Sequence, residues 1–213
     1  MPMDGLMLSF VTRELEETLI GGRVDKVTQP EPETVILALR SRNTNYRLLL
    51  SAHPVSARCH LTRAAFTNPP EPPVFCMLMR KHLSGSRLKA IRQIDGDRQI
   101  RFIFDGTDEM GENVERALIL EIMGRHSNLI LTADSGRILD AIKRVNGHMS
   151  RVREVLPGLI YMPPPAQQKT APGLITAEAA HAFWRPAQVP LPKHWARISP
   201  GCPRRHARSG LTG

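Results

Sequence analysis

Glu115-Arg116-Ala117-Leu118-Ile119-Leu120-Glu121-Ile122-Met123-Gly124-Arg125-His126-Ser127-Asn128-Leu129-Ile130-Leu131-Thr132 is the stretch whose reading decides the fold. Two apolar runs rich in branched side chains, 115–123 and 126–132, flank a glycine, and each is of strand length. Gly124 permits a bulge or a close backbone approach between them. Upstream, 87–94 and 98–104 carry the same signal, with Asp95-Gly96 and Asp105-Gly106 as expected turns. Downstream, Ala133-Asp134-Ser135-Gly136 leads into a further run at 137–143.

Toward the N-terminus four more strand-like runs occur near 23–29, 33–41, 45–52 and 57–62. They are divided by Pro30-Glu31-Pro32, Ser41-Arg42-Asn43 and Pro54. Two segments break the pattern. In residues 5–20, Leu8, Val11, Leu15 and Leu19 recur three to four apart among charged residues, the stripe of an amphipathic helix that Gly21-Gly22 ends. Asn68–Ser84 opens with prolines and continues through Val74-Phe75-Cys76-Met77-Leu78-Met79, which predicts a short, largely buried helix with a basic end. The expected class is α+β: a sandwich-like antiparallel sheet with an N-terminal helix and an inserted helix, over residues 1–162. From Pro163 onward lie 9 of the 18 prolines, and the apolar periodicity fades. Residues 163–186 read as a linker with a short helix, and 187–213 as a Pro/Arg-rich tail, disordered or arising from a shifted reading frame.

The 213 residues carry a formal charge of +9, which invites a nucleic-acid reading. Six of those charges lie beyond Glu178, so the body is only mildly basic. Three widely spaced cysteines, Cys59, Cys76 and Cys202, suit a reducing compartment. There is no C-x-x-C, no paired histidine spacing and no G-x-x-x-x-G-K-[ST] loop, so no metal or other cofactor is expected. The N-terminus lacks the features of an export signal and no stretch of 18 apolar residues occurs, so a cytoplasmic chain without membrane partners is expected.

Particular polar residues stand out against this framework. Asp97-Arg98 follows a turn, where Arg presents a planar fork to phosphate or a guanine edge and Asp accepts from an exocyclic amine; the plainer alternative is a surface ion pair. On an alternating strand Glu121 and Met123 share one face and Ile122 takes the other, which suits the core. Arg125, His126 and Asn128 either meet phosphate, ribose and base edges or, for the last two, satisfy buried backbone groups. Arg80 and Lys81, with His82, either contact phosphate or complement the dipole of their helix.

Six blocks in order resemble the NFACT N-terminal domain of RqcH-like ribosome quality-control proteins, a family also labelled fibronectin-binding-protein-like. They are Met3-Asp4-Gly5 with Leu19-Ile20-Gly21-Gly22-Arg23; Ala57-Arg58-Cys59-His60-Leu61-Thr62; Asn68 through Leu83; Asp97-Arg98; Glu121 through Asn128; and Ile138-Leu139-Asp140-Ala141-Ile142-Lys143-Arg144. The resemblance implies a non-enzymatic domain that binds tRNA and the large ribosomal subunit carrying a stalled peptidyl-tRNA. It also implies that tRNA, alanine tRNA in the bacterial branch, is recruited for template-free tailing of the nascent chain. It marks Asp97, Arg98, Glu121, Ile122 and Met123 as the tRNA-engaging residues. Three rival readings are a DNA glycosylase of the formamidopyrimidine type, a fibronectin-binding adhesin and a truncated fragment without function. The first needs an amine nucleophile at Pro2 and a neighbouring carboxylate, and Met3 stands where that carboxylate belongs.

Overall fold

The computed structural model describes residues 3–94, 97–108, 110–150 and 153–165, all within one compact unit, Met1–Pro172. Pro2, the Asp95-Gly96 turn, Cys202 and the linker and tail from 166 onward lie outside the described residues.

Helix α1 spans Gly5–Leu19; the Asp4 carboxylate caps it by accepting the Met7 N–H at 2.7 Å. Leu8, Leu15 and Leu19 are buried as the stripe required, while Val11 is half-buried. The two glycines after it have separate reasons. Gly21 adopts φ +80°, and a Cβ on Gly22 would sit 2.8 Å from the Leu19 carbonyl oxygen.

Nine strands follow: β1 Arg23–Glu31, β2 Thr34–Ser41, β3 Thr44–Ser51, β4 Arg58–Leu61, β5 Arg87–Gln93, β6 Gln99–Thr107, β7 Asn113–Glu121, β8 Asn128–Ala133 and β9 Ile138–Ala141. Helix α2, Val74–Leu83, lies between β4 and β5. All nine form one antiparallel sheet in the order β4-β3-β2-β1-β5-β6-β7-β8-β9. Its shortest ladder is at the middle, where β1 meets β5 through one register pair, Arg23 opposite Arg87, flanked by main-chain hydrogen bonds from the Val24 N–H to the Ser86 carbonyl and from the Leu88 N–H to the Gly22 carbonyl.

The α+β reading holds, with local differences. Asp105-Gly106 is not a turn but lies inside β6. Gly106 is there for close approach, since a Cβ would come 3.0 Å from that of Ser86. The turn falls later, where the Asp108 carboxylate accepts the N–H groups of Met110 at 2.9 Å and Glu112 at 3.0 Å. Likewise β1 runs through Pro30 and Glu31, and the turn falls on Pro32 and Glu33. The tight β2–β3 turn holds Arg42 and Asn43 both at positive φ, as a two-residue hairpin of the right twist demands.

Alternation divides the sheet into two faces. Val35, Leu37 and Leu39 of β2, Leu48 and Leu50 of β3, Phe102 and Phe104 of β6, and Leu118, Leu120 and Ile122 at β7 enter the main core with the buried faces of both helices. On α2 this face is Phe75, Cys76, Met79 and Leu83; Val74 and Met77 point to solvent. A second, smaller core lies on the other face of β7–β9: Ile119, Ile130, Ile138 and Ala141 are covered by Val145, Val155 and Tyr161 of the segment after β9. That segment is pinned by the bridges Val145–Val155 and Arg137–Ile160.

Burial pushes the Cys59 thiol up to about 12, and it raises that of Cys76 as well. Native Cys59 is therefore expected to resist iodoacetamide at pH 8 and to react at the rate of global opening; fast labelling in the native state would contradict its burial.

Candidate nucleic-acid interface

One main-chain hydrogen bond organises the residues singled out from sequence. The Ile122 N–H donates to the Arg98 carbonyl at 2.8 Å, so the turn before β6 and the end of β7 lie side by side on one rim. Asp97-Arg98 and Glu121-Ile122-Met123 thus form one neighbourhood.

Asp97 is half-buried, its N–H bonded to the Ile94 carbonyl and one carboxylate oxygen accepting the Arg98 N–H at 2.7 Å. The Gln93 side-chain amide donates to the carbonyls of both Asp97 and Gly5, at 2.8 Å each, tying the turn to the start of α1. The Arg98 guanidinium has no hydrogen bond or ion pair among the described residues, and none joins it to Asp97. Arg98 as a whole is half-buried.

Glu121 differs from expectation. It does point away from Ile122, but into the second core, where it is 0 % exposed. Its carboxylate accepts two hydrogen bonds from the Arg153 guanidinium, Nη1 to Oε1 at 2.8 Å and Nη2 to Oε2, and a third from the Tyr161 hydroxyl at 2.7 Å. The Gln99 amide in turn donates to the Tyr161 oxygen. A carboxylate taken out of water must be paired and hydrogen-bonded, and the segment after β9 supplies both. Burial pulls the Arg153 guanidinium down, but the Glu121 carboxylate outweighs it and the net shift is upward. Burial, then the same carboxylate, pushes the Tyr161 phenol up, so it stays a donor.

Ile122 is core at 1 % exposure. Met123 is half-buried, its N–H held by the Ser127 hydroxyl at 2.8 Å. The strand expected from 126 begins at Asn128, because Gly124–His126 forms a 3₁₀ turn with Gly124 at φ +59°. This turn presents Arg125 and His126 to solvent, with Arg125 Nε donating to His126 Nε2 at 3.0 Å. Asn128 takes the other alternative: at 2 % exposure it satisfies backbone, donating to the Lys143 carbonyl at 2.8 Å and accepting the Lys143 N–H at 3.0 Å. Arg80 also turns inward, Nε to the Val27 carbonyl at 2.9 Å, whereas Lys81 is exposed.

Arg153, Tyr161 and Gln99 were missed from sequence. The signal was Glu121 itself, a carboxylate between Leu120 and Ile122 that calls for a cation, though nothing in the spacing shows which one. Among the described residues no group of three or more His, Cys, Asp or Glu is placed to hold a metal, and no helix is long and apolar enough to cross a membrane.

Fold and rim define an α+β domain that offers Arg98, without a side-chain hydrogen bond or ion pair among the described residues, and an exposed Arg-His turn along the end of an antiparallel sheet. The chain belongs to the family described as NFACT N-terminal and middle domains, whose model matches residues 4–192. It is 45% identical over 173 residues to the Rqc2 homolog RqcH of Bacillus subtilis, covering 81% of this chain and 30% of that protein. With the ribosome quality control complex subunit NEMF of Homo sapiens it shares 32% identity over 136 residues, 64% of this chain and 12% of that one. Among solved structures, the N-terminal domain of fibronectin-binding protein PavA from Streptococcus pneumoniae superposes with a TM-score of 0.80 at 37% identity, over 85% of this chain and 68% of that one. The fibrinogen-binding protein of Staphylococcus aureus gives 0.75 at 37% identity, over 86% and 64%. The chain spans about a third of the length of the RqcH relatives it matches.

Proposed function

We propose that this domain holds tRNA and docks on the large ribosomal subunit in ribosome quality control, in the service of template-free alanine tailing of stalled nascent chains. The observation that carries the reading is the Ile122–Arg98 main-chain bond, which brings Arg98, whose guanidinium has no hydrogen bond or ion pair among the described residues, into one neighbourhood with Met123 and the exposed Arg125-His126 turn. Such a rim suits RNA, where arginine meets phosphate and base edge and the peptidyl transfer itself belongs to the ribosome. Membership of a family whose relatives are named as ribosome quality control subunits supports it. Asp97 and Arg98 are the direct contacts, with Met123, Arg125 and His126 beside them. Glu121 acts from behind: clamped by Arg153 and Tyr161, it fixes the backbone that carries Ile122 and Met123.

The test is binding of labelled alanine tRNA, against an unrelated tRNA, to the full chain and to its Asp97→Ala/Arg98→Ala variant. The double variant is expected to keep its thermal midpoint and lose at least tenfold in affinity for alanine tRNA, with selectivity between the two tRNAs gone. Equal binding by the folded variant would remove these residues from the site. Co-sedimentation with purified large subunits, lost in the same variant, checks the ribosomal half of the reading.

A further inference from the structure

A second cationic feature lies away from that rim, on the outward face of the sheet. In an antiparallel ladder, residues directly opposite one another carry side chains on the same face. Arg40 of β2 is paired with Arg23 of β1, and Arg23 with Arg87 of β5. Their ladder neighbours Val24, Leu39 and Leu88 are buried in the main core, so the three arginines point the other way, and all three are exposed. Farther along β5, on that outward face, Arg92 stands opposite Arg101 of β6. At about 4.8 Å between strands and 3.3 Å along them, the row crosses roughly 10 Å of sheet and then runs about 16 Å along β5 toward the Asp97-Arg98 turn.

Like charges directly opposite each other weaken a sheet. Here they occupy the single register pair that joins its two halves. Asp105, which stands directly opposite Arg87, and Glu115 are both engaged by Lys89, at 3.2 and 2.8 Å, and neither forms an ion pair with Arg23, Arg40 or Arg92 among the described residues. Arg87 Nη1 donates to the Gly21 carbonyl at 3.2 Å, which accounts for Arg87 as a partner of the end of α1. Nothing comparable accounts for the others. Arg23, Arg40 and Arg92 have no hydrogen bond or ion pair among the described residues, and the Arg101 Nε is buried without a partner. A fold that keeps Arg23 and Arg40 opposed without an ion pair among the described residues, at its shortest ladder, violates local consistency, and such violations concentrate at functional sites.

We propose that Arg40, Arg23, Arg87, Arg92 and Arg101 form a phosphate-binding track for the RNA backbone, leading along the outer face of β2–β1–β5–β6 to the rim at Asp97-Arg98. Guanidinium forks pair two ways with phosphate, and a linear row of them follows a strand of regularly spaced charges. The track carries no base specificity; it supplies affinity and orientation, and the rim supplies selection. The inference rests on the reading that this chain binds RNA, but on different residues.

The experiment is a salt series of tRNA binding to the full chain and to the triple variant Arg23→Gln/Arg40→Gln/Arg92→Gln, which spares the helix-end contact of Arg87 and the half-buried Arg101. A charge-matched triple, Arg13→Gln/Arg63→Gln/Arg137→Gln, serves as control. The track variant should bind both alanine tRNA and an unrelated tRNA at least tenfold more weakly at low salt. The slope of log affinity against log salt should fall by about 2 to 3, as for three lost phosphate contacts. Its thermal midpoint should hold or rise, because repulsion is removed. An unchanged slope, or an equal loss in the control, overturns the proposal. Loss of binding to phosphatidylserine vesicles with tRNA binding intact also overturns it, making the face a lipid-facing one. The Asp97→Ala/Arg98→Ala variant separates the two ideas. A lowered slope in the track variant beside wild-type binding in the rim variant keeps the track and sinks the rim. The reverse pattern sinks the track alone.

Discussion

Replacing Arg153 by methionine is expected to lower the free energy of unfolding by about 3–5 kcal/mol, the cost of leaving one member of a buried ion pair without its partner. The size follows from Glu121, which is 0 % exposed and takes two of its three hydrogen bonds from this guanidinium. The methionine fills much of the volume, so the loss is electrostatic and not a cavity. The double variant Glu121→Gln/Arg153→Met should regain most of the loss, because a neutral amide tolerates burial with the Tyr161 hydroxyl still beside it. Urea denaturation of both chains, followed by circular dichroism, measures the difference. A single-variant loss under about 1 kcal/mol would mean that water reaches the pair. Tyr161→Phe should be milder, since it removes one donor and leaves the ion pair in place.

The second large effect is expected at Ile122. It is 1 % exposed in the main core among Leu118, Leu120 and Leu129, so Ile122→Ala should cost about 2–5 kcal/mol through lost burial and the cavity left behind. The half-buried Met123 next to it should cost about 1 kcal/mol or less on the same change. This contrast bears on the proposed site. A triple replacement of Glu121, Ile122 and Met123 by alanine removes a buried charge and a core side chain at once, so its loss of RNA binding would report unfolding. Met123→Ala, in a chain whose denaturation midpoint is unmoved, is the variant that reports contact. A Met123→Ala chain that binds alanine tRNA as tightly as the wild type would leave Met123 out of the interface.

The periodicity of apolar residues, with the turn signals between them, was enough to find the nine strands and two α-helices of the described residues, because the two periods, 2 and 3.6, are properties of the local chain. It placed Ile122 in the core for the same reason. The errors are as local as the successes. Asp105-Gly106 has the composition of a turn, but its glycine answers to Ser86 across the sheet, and the turn belongs to Asp108, whose carboxylate closes on N–H groups two and four residues on. His126 reads as the start of a strand until Gly124, at positive φ, starts a 3₁₀ turn. Composition does not say which of two candidate glycines bends the chain.

Charge was legible only as a total. The +9 of the whole chain, most of it beyond Glu178, pointed away from the body of the domain. The arginines of that body matter through register: Arg23, Arg40 and Arg87 are distant in the chain and become neighbours only when β1 is laid between β2 and β5. The fate of Glu121 was equally non-local. Alternation put it on the face opposite Ile122, correctly, and an uncovered sheet would have left that face to solvent. The segment from Val145 to Tyr161 covers it instead and brings Arg153 to the carboxylate from 32 residues away. What the sequence by itself determined was the list of elements, the main core and the family. Tertiary structure alone decided which polar residues are buried partners and which are free, since burial and pairing depend on segments that meet only in the folded chain.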